Sequence, residues 1–149
     1  MNRILKERSG YSLLECLIVL CCAAVLVGMS VPGLYRVHQE WTLWGCARLV
    51  ESSLRWGRSR AIASNTALIF KVNGDGSRYC WIDAETGLKY ENSVRLLPQD
   101  VRIVSHPGRS LRFYPHGTAV PAGTFVVRAS AGAYSIVVNP GGRIRVKRN

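Results

Sequence analysis

Two places in this chain put charge where an ordinary domain would not. Glu15 sits in "GYSLLECLIVL" (10–20), five residues into an otherwise apolar run. A carboxylate in hydrocarbon costs a few kcal/mol even on lenient insertion scales, so its presence there predicts a cationic partner. At the other end, "GGRIRVKRN" (141–149) gathers Arg143, Arg145, Lys147 and Arg148. Read as a strand, it turns Arg143, Arg145 and Lys147 to one face and Ile144 and Val146 to the core. Arg148 and the loop bases Arg109 and Arg112 extend that surface. Such a patch suits a polyanion, because Arg and Lys contacts to phosphates give sequence-independent affinity through counterion release. Basic residues on an edge strand also discourage aggregation, which is the alternative reading. Pairing with the acids of residues 75–100 is a further alternative for Arg128.

The formal net charge of +11 is uneven. Residues 1–10 carry +2, 11–35 carry −1, 36–65 carry +3, 66–100 carry −1 and 101–149 carry +8. The surplus therefore belongs to the last third, which contains no acid. Nothing resembles catalytic machinery. His38, His106 and His116 are scattered without metal spacing, and no nucleophile motif occurs. "NGDGS" (73–77) lacks the ligand series of a calcium loop and reads as a turn. No enzyme activity, metal or cofactor is expected. Cys16, Cys21 and Cys22 lie in the apolar run as small hydrophobes. Cys46 and Cys80 can form a disulfide or remain free thiols.

The elements that position these groups follow from periodicity. Residues 13–31 are apolar apart from Glu15 and Ser30, and nineteen helical residues rise about 28 Å, close to the hydrocarbon thickness. Bases ahead of the run place its start in the cytoplasm. After Pro32, which should kink or loosen the helix, apolar positions Trp44, Ala47, Val50, Leu54, Gly57 and Ala61 mark one buried face to about Ala63. Arg48, Arg55 and Arg58 fall off that face and read as solvated. Short strands are expected over 67–72, 79–82, 101–105, 111–114, 124–129, 134–138 and 143–146, separated by turns. A helix followed by many strands predicts an α+β head, the helix packed on an antiparallel sheet.

The leader carries a resemblance. Gly10, aromatic Tyr11, Ser12-Leu13-Leu14-Glu15 and the apolar helix resemble the class III signal of type IV pilins and type II secretion pseudopilins. That resemblance implies cleavage by prepilin peptidase between Gly10 and Tyr11, and N-methylation of Tyr11. It also implies pairing of Glu15 with the N-terminal amine of a neighbouring subunit. Tyr11 and Ser12 stand where the family usually has Phe and Thr. In the head, "WGRSRAIASNTALIF" (56–70), "FYPHGTA" (113–119) and "GGRIRV" (141–146) resemble segments of the GspH/FimT group of minor pilins and pseudopilins, with Arg60 in place of the usual acid. The implied organisation is a leader (1–10), a transmembrane assembly helix (11–34) and a periplasmic head (35–149). The chain would be anchored in the inner membrane and enter a pilus or pseudopilus with other pilins. Several FimT-like members bind DNA through basic residues of the G-R-x-R region, and the resemblance implies capture of double-stranded DNA in natural transformation by Arg143, Arg145, Lys147 and Arg148. The alternative implied role is a structural minor pseudopilin of a type II secretion system.

Overall fold

The structure, a computed structural model, describes residues 12–90 and 93–149, without the side chains at 29–32 and 34. The expected cleavage and methylation site, Gly10 and Tyr11, lies outside the described residues. The chain divides into two compact units, Met1–Val37 and His38–Asn149.

Helix α1 spans Leu13–Ser64 and has residues in both units. Ser12 caps its start: the Ser12 Oγ accepts the backbone N–H of Leu14 at 3.2 Å. The helix is continuous through position 32, so a proline that removes one backbone donor does not end it. It stops where Asn65 takes a φ of 52°, the left-handed conformation common just past a helix C-terminus. Among the described residues no helix is long and apolar enough to cross a membrane. The apolar run expected to do so, residues 13–31, includes positions 29–31.

In the second unit, Leu43, Cys46, Ala47, Val50, Leu54, Gly57 and Ala61 form the buried stripe of α1. Trp44 was expected on it but is 45% exposed. The stripe is centred through Leu43, Ala47 and Val50, which leaves position 44 on the flank, in edge contact with Trp41 at 6.3 Å.

Among the described residues nine strands follow: β1 (Leu68–Val72), β2 (Arg78–Asp83), β3 (Arg95–Leu96), β4 (Arg102–Ser105), β5 (Leu111–Phe113), β6 (Ala119–Val120), β7 (Gly123–Ala129), β8 (Gly132–Val138) and β9 (Ile144–Arg148). They form two sheets where one was expected, ordered β3-β2-β1-β5-β6 and β4-β7-β8-β9. Every strand pairing in them is antiparallel. β3 and β6 were not expected, because two residues carry no readable alternation. One core serves both sheets. Phe70 of the first packs on Tyr79 at 5.1 Å, on Trp81 at 5.0 Å and edge-on against Phe125 of the second at 5.5 Å.

The "NGDGS" segment is the β1–β2 turn. The Asp75 carboxylate accepts both the hydroxyl and the backbone N–H of Ser77, and these bonds hold its pKa below the usual carboxylate range. Its charge serves the turn. Cys46 and Cys80 are free thiols. Cys46 lies in the core beside Tyr79, and strand alternation sends Cys80, the next residue, to the opposite face of β2.

Candidate nucleic-acid interface

β9 is one of the two edge strands of its sheet and, among the described residues, pairs only with β8, opposing Val137 to Arg145 and Ser135 to Lys147. Ile144 is buried and Val146 half-buried against the core. Arg145 and Lys147 are exposed on the outer face, and Arg143 is exposed just before the strand. None of the three has an ion-pair partner among the described residues. From 143 to 147 a strand spans about 13 Å. Duplex DNA presents one phosphate per strand for about every 3.4 Å of axis, so three or four phosphates fall within reach.

Arg148 behaves differently. Alternation turns it to the core side of β9, where its Nη2 meets Glu40 Oε1 of α1 at 3.2 Å. The tail is thus relieved by one internal ion pair, although it contains no acid. Arg109 is exposed in the β4–β5 loop, and Arg112 is half-buried in β5, opposite Ile69 and Val120 in the other sheet. The structure does not bring either onto the face of β9.

It does bring Arg55 and Arg58. These line one open cleft with Arg143 and Arg145, floored by Gly141, Gly142 and Ile144. Arg58 is half-buried, which corrects its solvated reading, whereas Arg55 is exposed as expected. Arg58 Nε donates to Gly117 O at 2.9 Å and its Nη2 to Gly141 O at 3.3 Å. It ties the "FYPHGTA" turn to the "GGRIRV" turn. Gly142, at a φ of 74°, packs so closely on Gly117 O and Arg58 that no side chain fits. The three head segments singled out in the sequence meet at this one guanidinium.

Arg55 has a second obligation. With Arg48 it clamps Glu51, each bond 2.8 Å, and Glu51 is buried. Burial opposes its ionisation, but the hydrogen bonds from Arg55 and Arg48 outweigh that and hold its pKa below the ordinary glutamate value. This draws part of Arg55's field away from the cleft. On the far side of the same sheet, Arg102 and Arg128 are paired across β4 and β7. Arg102 Nη1 reaches the Asp75 carbonyl at 3.4 Å, and Asp75 offsets its charge. No salt bridge links Arg128 to the acids of residues 75–100 among the described residues. At β9 the three outward cations are left without such an offset among the described residues.

Glu15 is exposed on α1, in its first turn. It stands three residues after the Ser12 cap, the spacing of a capping box, and near the positive end of the helix dipole. Among the described residues no group of three or more His, Cys, Asp or Glu is placed to hold a metal ion.

A long helix followed by two antiparallel sheets with a shared core defines an α+β head. The family model described as type II transport protein GspH matches residues 47–142. The chain belongs to this family. Its structure is similar to the minor pseudopilin EpsH from the type 2 secretion system of Vibrio cholerae. The TM-score is 0.58 at 15% identity, covering 69% of this chain and 94% of that one. It is equally similar to the type IV minor pilin FimU of Pseudomonas aeruginosa, with a TM-score of 0.58 at 19% identity, covering 70% of this chain and 87% of that one. No curated protein matches it in sequence.

Proposed function

We propose that this chain is a minor subunit of a pilus-like filament, and that it binds double-stranded DNA without sequence preference through the outer face of β9. The observation that carries the DNA reading is the row of Arg143, Arg145 and Lys147, exposed and without an ion-pair partner among the described residues, beside a cleft that adds Arg55 and Arg58. Phosphate contacts need no more than this: cations on a rigid strand, free of internal acids. In this reading prepilin peptidase cuts after Gly10, Tyr11 is methylated, the apolar run anchors the subunit in the inner membrane, and Glu15 meets the Tyr11 amine of the next subunit. The head then faces the periplasm and enters the filament, where captured DNA is taken up in natural transformation.

The test is binding of a mixed-sequence duplex by the full chain in detergent. Replacing Arg143, Arg145 and Lys147 together by Gln should lower affinity more than tenfold while the thermal transition stays in place. Equal binding by the substituted chain would remove β9 from the account.

A second reading, a structural minor pseudopilin of a type II secretion system, is favoured by Arg58. Its bonds to Gly117 O and Gly141 O, with the close packing of Gly142, explain the glycine at 142 by packing alone, with no ligand. In that case the triple substitution changes no DNA affinity above background.

A further inference from the structure

A second cleft flanks the buried stripe of α1 on the side opposite the basic one. Trp56 forms its wall, 46% exposed, with Trp81 and Tyr90 in edge contact at 6.2 and 6.1 Å. Lys89 and Arg95 line it, and among the described residues no acid does. Neither cation has an ion-pair partner among the described residues. Tyr79 reaches it from below, nearly fully buried. Ser53 stands beside its hydroxyl, but no partner among the described residues meets hydrogen-bond geometry. Ser53 Oγ accepts the indole N–H of Trp81 at 3.0 Å. A buried hydroxyl left without a partner is costly, and a polar atom entering the cleft would supply one.

The chemistry selects the occupant. A peptide adding as a strand needs free main-chain groups, and the β2 edge beside the cleft has spent its own. Trp81 N–H donates to Ser93 Oγ, Tyr90 N–H donates to Trp81 O, and Leu97 N–H donates to Ser77 O. The exposed Trp56 ring, two cations without an ion-pair partner among the described residues and the buried Tyr79 hydroxyl at the cleft floor suit a ligand of flat bases joined by phosphates. We infer that this cleft is a stacking site for single-stranded DNA, with a base on Trp56 and phosphates on Lys89 and Arg95. The inference deepens the DNA reading of the chain but uses residues separate from β9.

The experiment compares a fluorescent 12-nucleotide oligo(dT) with a mixed-sequence duplex, both titrated into the full chain in detergent. Trp56→Ala should weaken oligo(dT) binding about tenfold, with duplex binding within twofold of the parent. Tyr79→Phe should weaken oligo(dT) about fivefold. Lys89→Gln with Arg95→Gln, at exposed positions, guards against a Trp56 variant that fails to fold; it should flatten the oligo(dT) salt dependence. Oligo(dT) binding unchanged in these variants, or lost in step with duplex binding, overturns the inference. So does capture of a peptide by a chain that ignores oligo(dT). A chain that binds duplex but not oligo(dT) loses only this site; one that binds oligo(dT) but not duplex loses only β9.

Discussion

Glu51 shows how one buried carboxylate sets the character of the cleft beside it. Two arginines hold it ionised against burial, so its pKa is depressed in the folded chain. The stability it contributes is fully present above the unfolded glutamate value of about 4.3 and is lost as pH falls through the lower folded value. Glu51→Gln should cost about 1–3 kcal/mol at pH 7. The gap between parent and variant should narrow at pH 3, read by thermal unfolding at the two values; parallel losses would show that Glu51 is not the group titrating. The same substitution frees Arg55, so duplex affinity at low salt should rise. Arg58 makes the complementary point. Its bonds to two glycine carbonyls hold together segments far apart in sequence, and a guanidinium used for folding is only partly available to a ligand.

The strands and the helix meet most tightly at Gly57, where an added methyl would overlap the Trp81 ring. That ring is fixed by its bond to Ser53 and by packing on Phe70 and Phe113, so it cannot yield easily. Gly57→Ala should therefore destabilise by about 1–3 kcal/mol despite the ~1 kcal/mol helix preference for Ala. A variant as stable as the parent in thermal unfolding would mean that the ring moves freely. At this scale much was legible in the sequence. The buried stripe from Ala47 to Ala61, the "NGDGS" turn and the alternation of the tail all follow from local periodicity. Trp44 was misjudged because a tryptophan at helical spacing reads as core, whereas here its neighbour Leu43 takes that place. The split into two sheets was hidden, since pairing partners such as β1 and β5 are far apart in the chain. The contribution of Arg55 and Arg58 was hidden for the same reason: only tertiary packing brings Gly141 and Arg143 beside α1.

For the whole molecule, the proposed division of labour puts assembly at one end and ligand capture at the other. Glu15 has a local role open to it, at the first turn of α1 behind the Ser12 cap, and an intermolecular one with the Tyr11 amine. Glu15→Ala distinguishes them. Leader cleavage should proceed, while the sheared filament fraction should lose the subunit; normal incorporation would leave only the local role. The central claim concerns the other end, and its most direct measurement is the salt dependence of duplex binding by the full chain. Three or four phosphate contacts by β9 and its cleft predict a log–log slope of about −3 to −4, falling towards zero when Arg143, Arg145 and Lys147 are replaced by Gln. A slope near zero in the parent, or one unchanged by the substitution, would contradict the account.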